Sequence, residues 1–165
     1  MQEETGAVTT GPPDLWGGML PLYRREGVAE ACLRLQDTCG ADVPLLLAGA
    51  VLARSGLRLT PSLASALVSV TQDWRREVVL PLRALRRSWR ERLYRDPLRD
   101  QLKSLELEAE RRQVEYLQSL LATRWPLPRS EPGVGLIREN LEALLVAQGA
   151  GDWHDALPRL LPCIE

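Results

Sequence analysis

Along nearly the whole chain, apolar residues recur at steps of three and four, and the polar residues between them read as helix caps and stops. Asp14 stands as an N-cap before Leu15, Met19 and Leu22, which share one face of a short helix reaching Tyr23. Gly17, Gly18 and Pro21 weaken that helix in isolation, so it depends on packing. A second helix fits Val28 to Thr38, with Val28, Ala31, Cys32, Leu35 and Cys39 on one face and Gly40 as its stop. Asp42 then caps a helix from Val43 to Arg54, with Pro44 in its first turn. Nearly every side of this helix is apolar, which places it at the centre of the fold.

Thr60-Pro61 opens a fourth helix that turns Leu63, Ala66, Leu67 and Val70 inward. Whether Asp73 caps a new helix or lies within a continuing one, Trp74 to Tyr94 is helical in pattern, with a kink near Pro81. Asp96-Pro97 starts the longest helix, from Leu98 to about Ala122. Its expected seam is Leu98, Leu102, Leu105, Ala109, Tyr116 and Leu120, interrupted by Arg112. Residues 123–133 read as a proline-rich linker. Ile137, Leu141, Leu144 and Leu145 then form a further amphipathic helix, and Asp152 to Leu161 a last short turn. No stretch alternates with period two, so the expected fold is all-α, a compact bundle of about six to seven helices. Residues 1–12 read as a disordered leader, 13–122 as the core domain and 134–165 as a C-terminal helical appendage.

Composition removes several function classes. With 21 basic against 22 acidic residues, bulk-charge binding of nucleic acid is not expected. Met1-Gln2-Glu3-Glu4 lacks the apolar core of a signal peptide. The longest apolar run, Val43 to Ala53, is about half a membrane span. Cys32, Cys39 and Cys163 are odd in number and lack metal spacing, pointing to reduced thiols and a cytosolic setting. His154 is the only histidine, so a catalytic triad or a histidine-rich metal site is excluded, and no cofactor is implied. Gly133-Val-Gly135 lacks the lysine and preceding strand of a phosphate loop.

Certain blocks of the chain resemble a known family. Asp14-Leu-Trp-Gly, Gly27-Val-Ala-Glu-Ala-Cys-Leu-Arg-Leu-Gln-Asp37, Asp42-Val43, Trp74-Arg75, Pro81-Leu-Arg-Ala-Leu-Arg-Arg87 and Lys103-Ser-Leu-Glu-Leu-Glu-Ala-Glu110 carry the likeness. They are similar to a proteobacterial, all-helical domain-of-unknown-function family, over about residues 14–121. The resemblance implies a helical fold and no particular activity. The chain departs from the family pattern at Pro44, where an asparagine is expected, and at Val51, where an aromatic is expected, so a site lined by those positions is altered here.

Three constellations carry candidate chemistry. Arg83, Arg86, Arg87 and Arg90 form one helical stripe, suited to phosphate or carboxylate or else to pairing with a neighbouring helix. Glu106 and Glu110 form a matching acidic stripe. If the helix after Pro97 folds back, the stripes meet as ion pairs; the alternative is a carboxylate pair for a divalent ion or acid/base work. Gln36-Asp37 ends an apolar helix where the dipole disfavours negative charge, so Asp37 is expected to be buried and tied to the Trp74–Arg87 segment, with Trp74 or Arg75 as donor. Two functions compete: a protein-interaction or adaptor module, self-association included, and a small-molecule site between Gln36-Asp37 and the two stripes.

Overall fold

The computed structural model describes residues 10–92 and 95–165, so the expected leader and Tyr94 fall largely outside the described residues. Eight α-helical segments follow one another: α1 (Leu15–Tyr23), α2 (Val28–Cys39), α3 (Val43–Arg54), α4 (Pro61–Trp74), α5 (Leu80–Ser88), α6 (Pro97–Thr123), α7 (Val134–Ala147) and α8 (Leu157–Ile164). A π-helical turn, Arg75–Val79, joins α4 to α5 without a break, leaving seven helical rods. Among the described residues the backbone forms no sheet, only an isolated antiparallel bridge between Leu57 and Arg129. The fold is all-α.

The caps work as their side chains dictate. Asp14, Asp42, Thr60 and Asp96 each accept a hydrogen bond from a first-turn backbone N–H, and Pro44, Pro61 and Pro97 occupy first-turn positions where no N–H is needed. Gly40 closes α2 at φ 68°, a left-handed conformation that disfavours a side chain. The expected kink at Pro81 takes the form of the π turn. Proline removes its own N–H and crowds the carbonyl four residues earlier, and the wider turn, closed by the Leu80 N–H on the Arg75 carbonyl, accommodates both.

Helix α3 is buried from Val43 to Ala53 and forms the axis of the bundle. It packs against α1, α2, α6 and above all α7. The α3–α7 approach is close because residue 49 is glycine: a Cβ there would lie 2.5 Å from Leu144 Cδ1. Asn140 of α7, fully buried, fixes the contact by donating to the carbonyls of Gly49 (3.2 Å) and Leu57 (2.9 Å) and accepting from the Leu59 N–H (2.9 Å). The segment 123–133 is pinned by the Arg58 N–H on the Pro128 carbonyl (2.8 Å) and the Ser130 N–H on the Gly56 carbonyl (3.0 Å), with Leu127 buried. Helix α8 packs on α2, and the Gly151 N–H donates to the Cys39 carbonyl at 2.8 Å.

These contacts differ from the appendage expected for 134–165. Ile137, Leu141, Leu144 and Leu145 of α7 and Leu157, Leu160, Leu161 and Ile164 of α8 belong to the same hydrophobic core as α3. An all-round apolar α3 needs cover on every side, and α1, α2 and α6 leave the Gly49 face open. The last turn also extends further than expected, as a helix that runs through Pro162 to Ile164.

The inner face of α6 differs too. Leu98, Leu105 and Tyr116 are exposed, whereas Arg99, Leu102, Glu106, Ala109, Gln113, Val114, Leu117 and Leu121 are buried. Three of the six positions of the expected seam, Leu98, Leu105 and Tyr116, are therefore not what anchors the helix, and Leu120 packs half-buried against the core; Glu106 and Gln113, with partners on other helices, take inner positions instead. In α4 likewise, Val70 is exposed, while Ala64 and Thr71 are buried.

Deleting residues 134–165 is expected to abolish cooperative unfolding. The eight apolar side chains just named, at about 1.5–3 kcal/mol for each one fully buried, outweigh the roughly 5–15 kcal/mol by which a domain is stable. A thermal scan of the truncated chain checks this; a sharp transition near the full-length Tm would mark residues 1–133 as self-sufficient.

Candidate functional site

The end of the bundle where α5 folds against α6 holds an interior of charged side chains. Arg83 is buried, with its Nε 3.0 Å from Glu106 Oε1 and its Nη2 2.7 Å from Glu110 Oε1. Arg86 grips Glu106 from the other side with two donors, Nε on Oε2 and Nη2 on Oε1 at 3.3 Å. Steps of three along α5 and four along α6 set this geometry: two arginines one turn apart meet two glutamates one turn apart. Glu106 thus accepts from two guanidinium forks, while Glu110 holds only one arm of Arg83.

The two carboxyls are driven in opposite directions. Burial pushes Glu106 up, but its hydrogen bonds and charge contacts with Arg86 and Arg83 outweigh burial and hold it below the ordinary carboxylate range. Burial also pushes Glu110 up, and here Arg83 does not compensate, with Glu106 and Asp42 adding like-charge repulsion, so Glu110 stays above that range. Tyr23, on α1, is raised by burial and by the nearby Cys32 and Glu110.

These groups form one wall of a half-open cavity of about 310 Å³. Arg83, Arg86, Lys103, Glu106 and Glu110 make the charged side, and Gln36 and Tyr23 also line it. Trp16, Met19 and Leu20 of α1, with Val43, Pro44 and Leu47 of α3, make the apolar side. Cys32 lies at the cavity with its thiol pushed up to about 12 by burial, with Cys163 adding to the rise, which leaves it a poor nucleophile. Pro44, where the resemblance led to the expectation of an asparagine, stands in the cavity wall, while Val51 lies against Gly18 of α1.

Of the residues singled out in the sequence, Gln36, Arg83, Arg86, Glu106 and Glu110 meet at this cavity. Asp37, Trp74, Arg75 and Arg87 do not line it. Asp37 does reach the Trp74–Arg87 segment, pairing with Arg87 at 2.7 Å, but both side chains are about half exposed, at 54% and 51%. The buried acid is instead Asp42. Its Oδ2 accepts from Gln113 Nε2 at 2.6 Å and lies 3.3 Å from Arg75 Nε, its Oδ1 caps Leu45 at 3.4 Å, and its N–H donates to Gln148 at 2.8 Å. Trp74 Nε1 donates to the Ala109 carbonyl at 2.8 Å and so ties α4 to α6. Asp42 read as a helix cap, and nothing in its spacing announced that the cap is buried. Tyr23 and Lys103 are additions to the site; residues 16, 20 and 23 make a stripe beside the core face of α1 that marks where the cavity lies. Among the described residues, no group of three His, Cys, Asp or Glu side chains is placed to hold a metal ion. No helix there is long and apolar enough to cross a membrane.

Two substitutions separate the surface pair from the buried network. Asp37→Ala is expected to shift stability by less than about 1 kcal/mol, as for exposed pairs. Glu106→Gln leaves Arg86 without its counter-charge and the buried Arg83 with Glu110 alone, and is expected to cost about 3–5 kcal/mol. The Glu106 contribution is intact at neutral pH and lost as pH falls through its lowered value. Glu110 has the opposite sign: being raised, it costs stability as pH rises from the unfolded-state value to its own. Denaturant midpoints of the variants at acid and neutral pH check both statements, with Glu110→Gln expected to lose less than Glu106→Gln at neutral pH.

Comparison with known proteins supplies a family and nothing more specific. No curated protein and no solved structure matches the chain. A family match covers residues 14–117, from the cap of α1 past the glutamates of the cavity to Leu117 of α6. The chain therefore belongs to the family described as protein of unknown function (DUF2390).

Proposed function

We propose that this protein binds a small molecule in the α1–α2–α3–α5–α6 cavity, and that the ligand joins an apolar body to one anionic head, a carboxylate or a phosphate. The observation that carries this reading is the two-sided lining: Trp16, Met19, Val43 and Leu47 on one side, and Arg83, Arg86 and Lys103 on the other. The cavity volume of about 310 Å³ lies at the lower end of the roughly 300–1,000 Å³ typical of small-molecule sites, which suits a compact ligand. With three cationic and two acidic side chains the lining carries a net positive charge, and Lys103, exposed, makes no ion pair among the described residues. Titration calorimetry with octanoate, octyl phosphate and octanol tests the reading. The two anions are expected to bind and octanol to bind at least about tenfold more weakly, with Lys103→Glu reducing anion affinity by a similar factor. Equal binding of octanol, or no binding of any of the three, overturns it.

A second reading, a protein-interaction module, is favoured by the leucines that α5 and α6 turn outward. Leu98 and Leu105, seven residues apart, are exposed on one face of α6, and Leu85 is exposed on α5. Self-association through that face predicts a concentration-dependent sedimentation coefficient that Leu105→Glu removes. A monomer at all concentrations would exclude self-association.

A further inference from the structure

The charged wall of the cavity has a built-in competition for Arg83. Its Nε is committed to Glu106 and its Nη2 to Glu110, and Arg86 is likewise occupied by Glu106. An anion that enters the cavity therefore meets guanidinium groups already paired with carboxylates. The two carboxylates are not equally displaceable. Glu106 is held from two sides by three donor contacts, one from Arg83 and two from Arg86, whereas Glu110 is held by a single hydrogen bond from Arg83 Nη2. Glu110 is also the more accessible of the two, its side chain 22% exposed against 8% for Glu106.

Resting on the reading that the cavity takes an anion, we infer that the ligand's head binds Arg83 Nη2 in place of Glu110, and that Glu110 takes up one proton from solvent as it lets go. The exchange balances: one anion and one proton enter, and the net charge of the wall is unchanged. A carboxylate released from its guanidinium beside a second anion, in a wall already holding Glu106, is strongly disfavoured unless it is neutralised. Protonated, Glu110 becomes a hydrogen-bond donor and faces the incoming head with an O–H rather than a like charge. That Glu110 already sits above the ordinary carboxylate range in the unliganded protein agrees with this role.

The groups around Glu110 single it out as the proton acceptor. From α1 it faces Tyr23, from α2 Cys32 and Gln36, from α5 Arg83 and Arg86, and on α6 Glu106 and Lys103, with the charge of Asp42 acting from the start of α3. Tyr23 and Cys32 are pushed upward, away from neutrality, and Glu106 is held downward by both arginines. Asp42 is raised by burial against the pull of Arg75, but it does not line the cavity and keeps its own partners Gln113, Leu45 and Arg75.

The test uses octanesulfonate, an anion that does not itself titrate in the working range, with the full-length protein. Calorimetry in buffers of differing ionisation enthalpy is expected to show uptake of up to one proton per ligand. The affinity should fall by up to about tenfold per pH unit across the window above the free-state value of Glu110. Glu110→Gln should bind the sulfonate without proton uptake and with a flat pH profile, while Asp42→Asn should keep both effects if it folds. The proton count on the unaltered protein stands even if a variant does not fold. Binding with no proton uptake and no pH dependence would overturn the exchange while leaving the anion pocket intact. Failure of octanesulfonate, octanoate and octyl phosphate alike to bind at any pH would remove the pocket reading itself.

Discussion

The carboxylate of Asp42 is the constraint on which the arrangement of helices rests. It caps α3, accepts from Gln113 of α6, pairs with Arg75 in the π turn, and through its own backbone N–H engages Gln148 just after α7. One residue therefore ties the central helix to three other parts of the bundle. Burial disfavours its ionised form, and the contacts of Arg75, the Leu45 N–H and Gln113 only partly offset that. Such a group contributes more to choosing one packing over others than to net stability. Helices that slide past one another leave it without donors.

From Asp42 the order passes to the cavity through Arg75. That residue begins the π turn, the turn sets the direction of α5, and α5 presents Arg83 and Arg86 to the glutamates of α6. The charged wall is thus an interior feature of the α5–α6 hairpin rather than a decoration of its surface. Its partner wall comes from apolar side chains of α1 and α3, among them Trp16, Met19, Val43 and Leu47. A pocket forms where the hairpin, its inner face filled with ion pairs, cannot close over apolar side chains.

Caps, stops and apolar periodicity made the helices legible in the sequence, because Asp, Thr, Pro and Gly act within a turn of where they stand. Pairing of the arginine stripe with Glu106 and Glu110 stood as one of two readings of the spacing; Arg83 and Arg86 meet the glutamates, whereas Arg87 turns to Asp37. What escaped was long-range. Helix α7 read as an addition because nothing local announces that Gly49 lets Leu144 approach α3, or that Asn140 is consumed inside the contact. The rotation of α6 escaped because leucine normally outranks glutamate and glutamine for burial, and here partners on other helices reverse that order. Asp37 and Asp42 exchanged roles for the same reason: both stand beside helix ends, and only the positions of Arg75 and Arg87 decide which of them lies inside.

The π turn between α4 and α5 has a consequence for how sequence length maps onto the cavity. A regular helix advances by about 100° per residue, so one extra residue in a turn rotates everything beyond it by roughly a quarter of a circle. Ahead of the turn, α4 directs Leu63, Leu67 and Thr71 into the core; beyond it, α5 directs Arg83 and Arg86 towards the glutamates. The turn works as a phase shifter between an apolar and an ionic register on one continuous rod. A chain one residue shorter here would keep both halves of the rod helical, yet point Arg83 away from Glu106, losing the charged wall without losing a single charged residue.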